Sequence, residues 1–233
     1  MIQQVKTAYM YLIVIGIGVM LFVFSTFIPV ISSDADFSIY NSDWNGCSNL
    51  GRDVYEGGSF VPTIDISGSS GDTILHSPLN ELERIEPAET SIFIIGPQTG
   101  FSDEEIDFLS EFLGKGGKLL IADDFGSGNE LLSALGTDTR ISRTPMFDLA
   151  FDRNVNFSVS TEMSDHPITR DVSMLIFNIP YTITPSDKAV AVFNSSRTSW
   201  LDVIDNQEKD EEEPSGPFPM MTSERYGKGE LVV

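Results

Sequence analysis

Carboxylates gather where a strand gives way to a helix in the segment ADDFGSGN, residues 122–129, and there Asp123, Asp124 and Asn129 offer hard oxygen ligands suited to Ca²⁺ or Mg²⁺. Ligands of open α/β sheets settle at such strand ends. The spacing is not that of an EF-hand loop, and a structural reading stands beside the metal one: Asp and Ser satisfying the amides of a turn and a helix start. His166, in SDHPIT, is a candidate partner as general base, against a turn or hydrogen-bonding role. With Asp123 and Asp124 it would make a metal-assisted hydrolase.

Other chemistries find less to stand on. Cys47, the single cysteine, lies in NGCSNL without a nucleophile elbow, and His76 is the only other histidine. One Cys and two His cannot build a zinc cluster or an internal disulfide framework. DFG at 124–126 lacks the lysine strand, Gly-rich loop and catalytic loop of a kinase, and no phosphate-binding glycine loop is present. No catalytic residue is therefore assigned. Asn156-Phe-Ser and Asn194-Ser-Ser match glycosylation triplets, relevant if the domain is exported.

Periodicity indicates what positions the 122–129 turn. SIFIIG, from Ser91, and KLLIAD, residues 118–123, are short apolar runs that suit buried strands. Between them Ser102 and Glu105 form a capping box, Phe101 and Ile106 a hydrophobic staple, and Ile106, Leu109, Phe112 and Leu113 recur at helical spacing. A second S-x-x-E, Ser127 and Glu130, opens a helix containing Leu131, Leu132 and Leu135. The unit reads β-α-β-α with parallel strands and right-handed crossovers.

Upstream, Phe37–Tyr40 and Val61–Ile66 read as strands, with a turn and a short helix ended by Gly57 or Gly58 between them. Downstream, strands are expected at Met174–Phe177 and Ala189–Phe193, and the acid-rich stretch within 202–217 as a solvated, mobile loop. YGKGELVV reads as a turn and the start of a strand, from which a sheet continuing beyond Val233 is expected.

Residues 7–33 carry no charged side chain. The stretch is long enough to cross ~30 Å of hydrocarbon as a helix, and it exceeds the apolar core of a cleavable signal peptide. The expected organisation is a short cytoplasmic end at 1–7, a transmembrane helix at 8–31, and an extracytoplasmic α/β domain at 34–233, oriented by Lys6 and the amino terminus. All 35 acidic residues follow the stretch, against 14 basic residues in the whole chain, for a net charge of −21. Such a charge disfavours nucleic acid and favours cations and basic partners.

The order FSIYNSDWNGCSNL, IFIIGP, FSDEEIDFLSEFLGKGGKLLIADDFGSGNELL, DHPIT, SWLD, GPFP and YGKGELVV resembles the membrane-anchored family of domain of unknown function 4350. The resemblance implies a flavodoxin-like parallel sheet similar to class I glutamine amidotransferases. In those enzymes a nucleophilic cysteine follows a central strand, whereas here the comparable turn is Gly96-Pro97-Gln98-Thr99-Gly100, so the nucleophile is not carried over. The leading expectation is a non-catalytic, membrane-tethered domain that binds a ligand or a protein partner in an envelope complex. A metal-assisted hydrolase and a structural spacer are the alternatives.

Overall fold

The computed structural model describes residues 13–17, 34, 36–56, 86–124, 126–151 and 154–233. The expected spanning helix over 8–31 lies outside the described residues except for 13–17, which are helical and exposed. Among the described residues no helix is long and apolar enough to cross a membrane. The expected strand Val61–Ile66 and His76 also lie outside them.

Two apolar runs start the main sheet. β1 (Ser91–Ile95) and β2 (Lys118–Ala122) pair in parallel, with Ile94 opposite Ile121. The connecting helix is the one the capping box requires: in α2 (Asp103–Gly114) the Ser102 hydroxyl accepts from the Glu105 amide, and the Glu105 carboxylate accepts from the Ser102 amide at 2.7 Å. An earlier helix, α1 (Ser48–Glu56), ends one residue before Gly57, and a third, α3 (Gly128–Ala134), follows β2. Leu109 and Leu113 of α2, with Leu131 and Leu132 of α3, pack with Leu119, Ile121 and Leu231 in one buried core. Fully burying a leucine contributes ~2 kcal/mol, so each of these side chains helps hold the helices to the sheet.

The sheet is mixed rather than parallel. Its order is β1-β2-β11-β10-β8-β5, formed with β5 (Glu162–Met163), β8 (Val190–Asn194), β10 (Pro219–Tyr226) and β11 (Gly229–Val232). β11 runs parallel to β2, but β10, β8 and β5 each pair antiparallel to their neighbours. The physical reason is the two-residue turn Gly227-Lys228, which joins Tyr226 to its partner Gly229; a connection that short can only make a hairpin. Gly227 takes φ +59 there, a conformation glycine adopts without strain.

After α3 the chain does not return to this sheet in parallel. It enters β3 (Arg140–Asp148), flanked antiparallel by β7 (Tyr181–Thr184) and β9 (Ser199–Leu201), while β4 (Phe157–Ser160) pairs with β6 (Leu175–Asn178). A second core joins Met146 of β3 to Val192 and Phe193 of β8 and Met220 of β10.

Two expected features differ. Phe37–Tyr40 is a pair of turns, because Phe37 has φ +62 and the segment folds back through Cys47 N–H to Ser38 O and Phe37 N–H to Asn45 O. The acid-rich stretch is built by its own carboxylates: buried Asp202 accepts from the amides of Asn206 and Gln207, and buried Glu213 from those of Ile204 and Asp210. Asp202 and Glu213, which accept from loop amides, are held in, while residues 203–209 and 211–212 between them are exposed as expected.

Candidate functional site

The carboxyl ends of β1 and β2 open onto a cavity of ≈ 340 Å³. Gly96, just beyond β1, has φ +56, and a Cβ there would sit 2.2 Å from the ring of Phe37. The glycine is thus required twice, for its backbone and for the close approach of the ring, and Phe37 is held over the cavity as one of its walls. Leu120 and Ala122 of β2 contribute the floor, and β7 with the loop before it supplies Ile179, Pro180, Tyr181 and Ile183. Ile179 has φ +45, a costly conformation for a β-branched residue, and its amide donates to Asn156 O.

Aromatic and sulfur-bearing side chains dominate the remaining wall: Phe177 and Phe193, stacked at 5.5 Å between ring centroids, with Met220 and Met221. The ionisable groups lining the cavity are Asp123, Asp124 and Tyr181; among the described residues Lys, Arg and His do not line it. Burial pushes the Tyr181 phenol above its ordinary value of 10.0, and the negative charge of Asp124 pushes it the same way. Tyr181 therefore keeps its proton at neutral pH and presents a hydroxyl donor beside a carboxylate.

The residues singled out in the 122–129 turn separate into different roles. Asp123 is a backbone cap: Oδ1 accepts from the amides of Asp124 and Gly126, both at 2.9 Å, and Oδ2 from that of Gly128 at 2.7 Å. Ser127, expected to cap α3, instead donates its hydroxyl to Pro97 O and Thr99 O, fastening the β2 turn to the β1 turn. Asn129 uses both ends of its amide on the backbone of Ile141, donating to O at 2.9 Å and accepting from N at 2.8 Å. Asp123 and Asp124 border the cavity; Asn129 does not.

His166 lies elsewhere. Its Nδ1 lies 3.3 Å from the Ile168 amide nitrogen, and its Nε2 lies 2.8 Å from Glu230 Oε1. Ser223 donates to the same oxygen at 2.7 Å, and Lys118 Nζ stands 3.9 Å from Oε2. Lys118 begins β2 and Asp123 follows its end, so the strand separates the two groups by roughly 15 Å. Asp123, Asp124 and His166 do not converge, and among the described residues no group of three His, Cys, Asp or Glu side chains is placed to hold a metal ion.

Both glycosylation triplets have structural duties. The hydroxyls of Ser158 and Ser196, their third residues, both donate to buried Asp148, at 3.1 and 2.6 Å. Asn194 itself pairs with Glu162 and Pro219 inside the sheet. Cys47 begins the turn into α1 and is partly buried.

Sequence reasoning missed the aromatic wall and Asp148. Phe177, Tyr181 and Phe193 come from three separate strands, and their only signal is that they are aromatics in β-rich runs. Asp148 ends a strand and has no motif; five hydroxyl and amide donors from three segments find it only in the folded chain.

A family profile described as Domain of unknown function (DUF4350) matches residues 39–233. No curated protein sequence matches the chain. Among solved structures, the mmIFT52 N-terminal domain aligns at 16% identity and TM-score 0.48, covering 71% of this chain and 73% of that one. A thua-like protein from Bacteroides uniformis ATCC 8492 aligns at 15% identity and TM-score 0.44, covering 80% and 72%. The exo-beta-1,4-mannosidase Op5Man5 from Opitutaceae bacterium strain TAV5 aligns at 20% identity and TM-score 0.37, over 64% of this chain but only 21% of the mannosidase.

Proposed function

The chain belongs to the DUF4350 family, and from that premise we propose that it is a non-catalytic, membrane-tethered binding domain whose ligand site is the apolar cleft at the carboxyl ends of β1 and β2. The cleft carries the reading: ≈ 340 Å³ lies within the usual range of small-ligand sites, and its wall is mainly apolar with a few polar groups at one edge. Supporting it, Asp123, Asn129 and His166 are each engaged in bonds that build the fold. The uncharged stretch 7–33 supplies the tether, with the acidic domain on the extracytoplasmic side, where it would take part in an envelope complex.

Methyl resonances of Met220 and Met221 report directly on the cleft. In the full chain, labelled at methionine methyls and solubilised, toluene is expected to shift these two signals and to lose the effect when Ala122→Phe fills the floor. Shifts at neither methionine would overturn the reading. Hydrolysis of amides, esters or glycosides at enzymatic rates, lost in Asp124→Ala, would replace it with the hydrolase alternative.

A further inference from the structure

We infer that the cleft takes an uncharged, mainly apolar molecule carrying a hydrogen-bond acceptor, such as the oxygen of an aryl ketone, ester or ether, which accepts from the Tyr181 hydroxyl. This rests on the binding reading above and adds the chemical class of the ligand.

The wall disfavours a charged ligand of either sign. Among the described residues no basic side chain lines the cavity, so an anion would be buried there without a partner. The two carboxylates at its edge already have partners: Asp123 is held by the amides of Asp124, Gly126 and Gly128, and Asp124 is engaged as well. A cation would have to disturb those interactions to be compensated. An uncharged ligand meets neither penalty.

Tyr181 supplies the polar contact. β7 places its ring on the cavity wall beside Ile183, where it is partly buried, and among the described residues no group hydrogen-bonds to its hydroxyl. Burial and the negative charge of Asp124 both keep the phenol protonated, so it has a hydrogen to give. A partly buried donor without a partner gains most from an acceptor that arrives with the ligand. Asn178, the other uncharged polar side chain on the lining, is exposed and stays hydrated. Beyond the hydroxyl, the stacked rings of Phe177 and Phe193 with Met220 and Met221 suit a flat apolar body, against which rings stack and thioethers pack.

The test titrates acetophenone and α-methylstyrene, in which a methylene group replaces the carbonyl oxygen, into the full chain and into its Tyr181→Phe variant while the Met220 and Met221 methyl signals are followed. Because the two probes differ in hydration, the quantity read is the ratio of their affinities in each chain. That ratio is expected to shift about fivefold against the ketone in Tyr181→Phe, with α-methylstyrene binding as before and the unfolding transition unchanged. In the unaltered chain the carbonyl stretch of bound acetophenone should lie below its value in hydrocarbon solvent, a signature that needs no variant. An unchanged ratio, or a stretch at the hydrocarbon value, would overturn the acceptor assignment while leaving the cleft reading intact. Tighter binding of benzyltrimethylammonium or benzoate than of acetophenone would overturn the uncharged class in the same way. The assignment also falls if toluene moves the methionine signals and neither probe does. Failure of toluene together with both probes would remove both readings.

Discussion

His166 Nε2 lies 2.8 Å from Glu230 Oε1, and through this bond the turn at 166–169 is fastened to β11, an interior strand of the main sheet. His166, weighed from sequence as a general base or as a turn and hydrogen-bonding residue, makes the bonds of the second role here. Its other nitrogen accepts from the Ile168 amide, so the ring is used at both ends.

Acid should loosen this bond. Burial raises the Glu230 pKa, but hydrogen bonds from Ser223 and His166, with the charges of His166 and Lys118, outweigh it and hold the carboxyl below its ordinary value of 4.5. A depressed carboxyl contributes stability that is complete above the unfolded value and is lost as pH falls through the folded one. Urea midpoints measured from pH 7 to pH 3 should therefore fall in the acid range, and Glu230→Gln should flatten that fall while costing about 1 kcal/mol at pH 7. An unchanged acid limb in the variant would refute the linkage.

Asp148 is expected to be the most sensitive polar position. It is fully buried and accepts from the hydroxyls of Ser158, Ser196 and Thr198 and from the amides of Ala150 and Val159. Burial raises its pKa, yet Ser196, Ala150, Thr198 and Val159 together bring it below 3.8, so its contribution too disappears on acidification. Asp148→Ala strands several donors at once and should cost about 3 kcal/mol or more, read as a lowered denaturant midpoint at neutral pH. Loss of Ser158 or Ser196 alone removes one donor and should cost less.

For Asp123, capping and metal binding predict opposite responses to a chelator. As a cap, Asp123→Ala should cost about 1–2 kcal/mol by exposing the amides of Gly126 and Gly128. EDTA, and Ca²⁺ or Mg²⁺ added back, should leave the thermal midpoint of the unaltered chain where it was. A midpoint that drops with EDTA and recovers with either ion would restore the metal reading.

Gly96→Ala links fold to cleft. The added methyl group meets the Phe37 ring and takes an unfavourable φ of +56. A cost of about 1–2 kcal/mol is expected, together with a Phe37 ring moved off the cavity and weaker toluene binding. Unfolding and the Met220 and Met221 titration measure the two effects separately; full-strength binding would show that Phe37 is not part of the site.

Local physics was legible in the sequence wherever the relevant partners lie close along the chain. Capping of α2 by Ser102 and Glu105, the apolar faces of β1, β2 and α2, and the turn at Gly227-Lys228 followed by a strand depend on separations of a few residues. The uncharged stretch 7–33, and the tether proposed from it, likewise rests on the sequence alone. What the tertiary structure decided were the long-range pairings: that β10 and β11 complete the sheet beside β2, making it mixed; that Asp123 rather than Ser127 caps α3; and that His166 belongs to Glu230, 64 residues away. The cleft is of the same kind. Phe37, from a turn, and Phe177, Tyr181 and Phe193, from three strands, share a wall only in the folded chain, and side-chain types that promise nothing singly enclose a cavity together.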